Sequence, residues 1–153
     1  MIPAKPVITW VLVADGARAT VLANEGVGRG LHEALPMDFV ASNLPTRARV
    51  SDRPGRARNA RTGRRSSPLA PAGDAHRLEK AAFARRLARQ LGAWARRGAF
   101  DRLILVAPPR MLGDLRGALD ARTRRRLHDT VPKDLTRQPA AAVAREVARA
   151  LAV

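Results

Sequence analysis

Residues 7–14 read Val-Ile-Thr-Trp-Val-Leu-Val-Ala, a β-rich apolar stretch that stops at Asp15-Gly16. A second apolar stretch, Ala17–Ala23, follows at once and gives way to Asn24-Glu25-Gly26. Two apolar runs across an Asp-Gly pair predict a β-hairpin. Between 31 and 39, Leu31, Glu33, Leu35, Met37 and Phe39 alternate with His32, Ala34, Pro36 and Asp38. That alternation predicts a third strand, which Pro36 confines to an edge or a bulge. The apolar signal then lapses from 44 to 73 and returns as Phe83, Leu87, Leu91 and Trp94, widened by Ala84, Ala88 and Ala95. This spacing predicts a helix over about 75–97, with Asp74 as its N-cap and Gly98 as its stop. Leu103–Ala107 is apolar at every position, as a strand covered on both faces requires, and Pro108-Pro109 ends it. A helix carrying Met111, Leu112, Leu115, Ala118 and Leu119 is expected next, fraying into Arg122, Arg124, Arg125 and Arg126. Thr130–Thr136 reads as a last strand weakened by Pro132. Pro139 opens a terminal helix in the way of a first-turn proline, with Ala140, Val143, Ala144, Val147, Ala148 and Leu151 on its inner face.

The predicted order is β-β-β-loop-α-β-α-β-α, which implies an α/β protein with a mixed β-sheet and helices packed on it. At 153 residues the chain suits one domain spanning 1–153, because the hairpin and strand before the lapse are too small to stand alone. Cys is absent, so disulfides, thiolate metal sites and Cys nucleophiles are excluded. His occurs only at 32, 76 and 128, too scattered for a dedicated zinc site. No segment approaches the roughly 18–20 apolar residues of a membrane span, and the Val7–Ala14 stretch is at the short limit for a signal peptide. These features predict a soluble, cytoplasmic protein.

Charge changes the picture more than composition does. The chain holds 29 Lys+Arg against 13 Asp+Glu, a formal net charge of +16, and only Lys5, Lys80 and Lys133 are lysines. Such an excess draws a protein to phosphate-rich partners, and Arg presents a rigid bidentate fork to phosphate. The excess peaks in the 44–73 loop, where Arg53, Arg56, Arg58, Arg61, Arg64 and Arg65 stand among Pro, Gly, Ser and Asn, with Asp52 the one acid before Asp74. Loops longer than about 12–15 residues inside a domain are usually functional or disordered. Tyr is absent and Phe occurs only at 39, 83 and 100, which argues against base stacking. Backbone recognition remains, with steep salt dependence and little sequence preference. Arg85 and Arg89 on the long helix would widen that footprint.

Catalytic signatures are sparse. There is no G-x-S-x-G elbow and no phosphate-binding G-x-x-x-x-G-K-[ST]. Gly26-Val27-Gly28-Arg29-Gly30 reads more simply as a turn than as a phosphate cradle. A β-β-β-α-β-α order resembles ribonuclease H-like folds, whose chemistry needs carboxylates converging on two metals. The candidates are Asp15, Asp101 and Asp134, but Asp15 is better explained as a turn residue and Asp101 precedes its strand. No cofactor, metal site or catalytic residue is expected.

Several segments together resemble a known family. They are Trp10–Ala19, Leu44-Pro45-Thr46-Arg47, Ser51–Arg56, His76–Lys80, Phe100–Leu103, Val106–Gly113 and Lys133–Thr136. Across nearly the whole chain they resemble the bacterial host attachment protein family, named for a requirement in attachment to host cells. The layout is also similar to the middle domain of archaeal and eukaryotic peptide chain release factors. That resemblance implies the scaffold and an RNA-facing loop at Ser51–Pro68. The loop of those factors carries Gly-Gly-Gln. The only glutamines here are Gln90 and Gln138, so no catalytic role is carried over.

The leading expectation is a non-enzymatic protein that binds RNA, on the ribosome or as tRNA, through the loop arginines. The alternatives are an attachment protein with a protein or envelope partner, and a hydrolase of release-factor or nuclease type.

Overall fold

The computed structural model describes residues 6–35, 38–41 and 72–151. Strand β1 (Thr9–Ala14) turns into β2 (Arg18–Asn24), and two short strands follow, β3 (His32–Glu33) and β4 (Phe39–Val40). Then come helix α1 (Ala72–Arg96), strand β5 (Arg102–Val106), helices α2 (Pro109–Ala118) and α3 (Ala121–Arg126), strand β6 (Leu127–Val131) and helix α4 (Ala140–Leu151). The sheet runs β3-β2-β1-β5-β6, with β4 also on β2. The β1–β2 pair is antiparallel, whereas β1–β5 and β5–β6 are parallel. It is therefore the mixed α/β sheet that the apolar pattern implies.

Period-2 alternation sorts the central strands onto two faces. Trp10, Leu12, Leu103 and Leu105 pack with Phe83, Leu87 and Leu91 of α1 and Met111 and Leu115 of α2. Val11, Val13, Ile104 and Val106 point the other way, toward Val143, Val147 and Ala150 of α4. Burial on both faces is why β5 is apolar throughout.

Several local expectations are corrected. The third strand is two pairings of two residues each, Leu22↔Glu33 with Ala23↔His32 and Arg18↔Val40 with Ala19↔Phe39; Pro36, expected to set an edge or a bulge, lies outside the described residues. The long helix begins at Ala72, which puts Asp74 in its first turn rather than at its cap and makes the last two residues of the expected loop helical. The second helix does not fray. It ends at Leu119 in extended backbone, and Asp120 caps a separate helix by accepting from the Thr123 amide at 2.8 Å. The last strand starts at Leu127, which pairs with Leu103, and stops at Val131 before Pro132. Pro139 stands one position earlier than expected, its carbonyl accepting from the Ala142 and Val143 amides at 2.9 and 3.1 Å.

Candidate functional site at the carboxyl edge of the sheet

The parallel strands β1, β5 and β6 end on one edge of the sheet, the edge where open α/β folds place ligands. Asp15 follows β1 there. Its Oδ1 accepts from the amides of Ala17 and Arg18 at 2.7 and 2.8 Å, and the Asp15 amide donates to the Arg18 carbonyl at 3.0 Å. The hairpin is thus built on Asp15, as expected. Gly16 answers a different need: a Cβ on it would lie 2.6 Å from Cγ, Cδ and Cε of Lys80. The lysine stem of α1 packs directly on the turn.

A cleft of about 390 Å³ opens beside that contact, lined by Asp15, Gly16, Ala17, Ala41, His76, Glu79 and Lys80. The Ala41 amide donates to the Ala17 carbonyl at 2.7 Å. Arg86 reaches back from α1 to donate to the Val40 and Ala41 carbonyls at 2.6 Å each, its guanidinium over the Phe83 ring. Arg86 therefore anchors the chain at Ala41 instead of joining the exposed basic face.

The loop after β6 closes the other side. The Thr136 hydroxyl lies 3.1 Å from Asp15 Oδ2 and 2.6 Å from Asp134 Oδ1, and the Thr136 amide donates to the same Asp134 oxygen at 3.1 Å. The hydroxyl has one proton, so it donates to one carboxylate at a time. Those bonds from Thr136, hydroxyl first, hold the Asp134 carboxyl below its usual range. Lys133 pairs with Glu146 of α4 at 2.7 Å.

The sequence-predicted residues divide sharply. Arg53, Arg56, Arg58, Arg61, Arg64 and Arg65, with the rest of 44–71, lie outside the described residues. Arg85 and Arg89 are exposed on α1. Of the three candidate carboxylates, Asp15 and Asp134 meet through Thr136. Asp101 is at the opposite edge, accepting from the Ile8 amide at 2.8 Å, a strand length away, roughly 17 Å at 3.3 Å per residue. Among the described residues no group of three or more His, Cys, Asp and Glu is placed to hold a metal ion. Gly26, Gly28 and Gly30 all have positive φ, and Asn24 spans them by donating to the Gly30 carbonyl and accepting from the Gly26 amide; they form a turn. His128 bonds the Ala150 carbonyl at 3.1 Å and ties α4 to β6, a structural role. The contributions of Lys80 and Thr136 were not legible, because each acts on a residue far away in the sequence.

An open mixed sheet carrying helices on both faces is a fold shared with a protein of translation. A crystal structure of the archaeal translation termination factor aRF1 matches 95% of this chain with a TM-score of 0.55 and 14% identity. The chain spans 35% of the length of that factor, so the likeness is one of fold. The profile of a family described as "Protein required for attachment to host cells" matches residues 10–147, and the chain belongs to that family. No curated protein is significantly similar to it in sequence. Among the described residues no helix is long and apolar enough to cross a membrane.

Proposed function

We propose that the protein binds the phosphodiester backbone of structured RNA, on the ribosome or as tRNA, without catalysing a reaction. One observation carries the reading: both flanks of the Arg-rich 44–71 segment sit at the carboxyl edge. Ala41 is held there by Ala17 and Arg86, and the first turns of α1 by the contact of Lys80 with Gly16. The described residues on either side of Arg53, Arg56, Arg58, Arg61, Arg64 and Arg65 thus lie at the edge where such folds bind ligands, with Arg85 and Arg89 exposed on the helix that follows. The fold shared with a translation termination factor supports the same partner. Phosphate contacts of this kind give a steep salt dependence. Replacing the six loop arginines with Gln should weaken binding to every RNA tested and flatten the salt slope by about one for each phosphate-binding arginine removed. Unchanged affinity in that variant removes the loop from the interface.

A second reading follows from the family: a protein or envelope partner in attachment to host cells, with no RNA role. Membrane or envelope association that survives nuclease treatment of a lysate favours it. Nuclease-sensitive co-sedimentation with ribosomes, lost at high salt, favours RNA.

A further inference from the structure

The basic run Arg122–Arg126 is uniform in sequence, and the fold splits it in two. Arg124, though exposed, folds back on α2, its Nη2 donating to the Arg116 and Leu119 carbonyls at 3.1 and 3.2 Å and closing the end of that helix. Arg126 does the same for α1, donating to the Ala95 and Phe100 carbonyls at 2.9 Å each while lying over the Phe100 ring. Arg122 and Arg125 are exposed and have no hydrogen-bond or ion-pair partner among the described residues.

The position of α3 decides which part of α1 those two cations adjoin. Its cap, Asp120, rests on α1: Oδ2 lies 2.7 Å from where a Cβ on Gly92 would be, and 3.5 Å from Arg96 Nη1. Arg85, Arg89, Gly92 and Arg96 are spaced i, i+4, i+7, i+11, which is one face of a helix. Helix α3 therefore docks at the end of the face that carries Arg85 and Arg89. Along α1 the row from Arg85 to Arg96 covers about 16 Å at 1.5 Å per residue, and α3 starts against its far end. The Asp120 carboxyl beside it is held below its usual range, first by the Thr123 amide and then by the nearby charges of Arg96 and Arg122.

We infer that Arg122 and Arg125, with Arg85 and Arg89, form a ridge for the phosphate backbone of an RNA duplex, separate from the Arg-rich segment. The inference rests on the RNA reading and assigns it a second contact. A lipid surface fits less well. Helices that lie on membranes set large apolar residues beside the basic ones, whereas the exposed large apolar residues, Val7, Val27, Val40 and Leu78, lie off α3 and off the C-terminal half of α1.

The test measures anisotropy of a short labelled RNA duplex of mixed sequence with the full chain across a salt series. Three variants are compared with the wild type: Arg122→Gln/Arg125→Gln, the six-arginine loop variant, and Arg124→Gln/Arg126→Gln. The first should bind roughly tenfold more weakly, lower the salt slope by about two, and keep the wild-type melting temperature. The third should melt at lower temperature, because it strips partners from four carbonyls. If Arg122→Gln/Arg125→Gln keeps wild-type affinity and slope while the loop variant loses both, the ridge is overturned and the RNA reading stands. If the loop variant is unaffected while Arg122→Gln/Arg125→Gln is weakened, the ridge stands and the loop's part in the reading falls. A wild-type chain that ignores the duplex, or that binds only phosphatidylserine vesicles, overturns both.

Discussion

The two ends of the parallel strands are built on opposite principles. At the amino edge, polar groups are spent on the protein itself. Asp101 takes the Ile8 amide, the Ile8 carbonyl accepts from the amides of Asp101 and Arg102, and Arg126 satisfies the last carbonyls around α1. Aromatic rings fill the space behind them: Trp10 lies 5.3 Å from Trp94 and 5.2 Å from Phe100, centroid to centroid. At the carboxyl edge there is a cleft instead, bordered by Asp15, Ala41, His76, Glu79 and Lys80. The difference teaches where this small domain keeps its stability and where it keeps surface for a partner. Deep burial and backbone satisfaction close one edge, while the other keeps an open cleft.

The contrast breaks most visibly at Phe100, which is fully buried. Phe100→Ala should cost about 3–5 kcal/mol in urea unfolding, with RNA affinity unchanged at temperatures where the variant is folded. A cost below about 1 kcal/mol would mean that the amino edge is not where stability resides. Next in size is Arg126→Gln, which removes the side-chain donor of the Phe100 carbonyl and leaves the Ala95 carbonyl with the Gly98 amide alone; it should cost about 1–3 kcal/mol. Its neighbour Arg125→Gln should stay within about 0.5 kcal/mol, as surface changes do; equal costs for the two would erase the split of that basic run.

At the carboxyl edge, Gly16→Val forces the Lys80 stem aside and should cost about 1 kcal/mol, near the low end for overpacking. Adding Lys80→Ala should restore part of the stability, and a double-mutant cycle reads the coupling. Strict additivity would show that the lysine does not pack on the turn.

The smallest effect is a pH dependence. Asp134 is held below 3.8 by Thr136, so the folded state binds the proton less readily than the unfolded chain. Its contribution to stability is therefore complete above the ordinary aspartate value and is lost as pH falls through the lowered one. Thr136→Val removes the hydroxyl and should move the Asp134 titration, followed by NMR of the side-chain carboxyl, back toward 3.8. An unmoved titration assigns the lowering to the backbone amide of residue 136.

Much of the scaffold is legible in the residue pattern. Period-2 runs around Asp15-Gly16 announce the hairpin, the unbroken Leu103–Ala107 run announces a strand covered on both sides, and Phe83, Leu87 and Leu91 trace the inner face of α1. These signals are local, since each depends on which neighbours a side chain has within one turn or one pleat. The break between α2 and α3 was hidden, although Asp120 is a good cap residue, because a run of arginines masks the start of a helix. The proposed binding surface is legible only in outline. Charge excess pointed to a phosphate-rich partner and to Arg85 and Arg89, while the loop arginines lie outside the described residues.

The chain by itself therefore determined the apolar strands, the inner face of the long helix and the sign of the surface charge, because those follow from residue type and short-range periodicity. Only the tertiary structure decided which arginines are free to meet a partner. Arg86, Arg124 and Arg126 look the same in sequence as Arg85, Arg122 and Arg125, yet a buried or half-buried carbonyl left without a donor is costly. The guanidiniums within reach of such carbonyls are held by them, while Arg85, Arg122 and Arg125 are exposed.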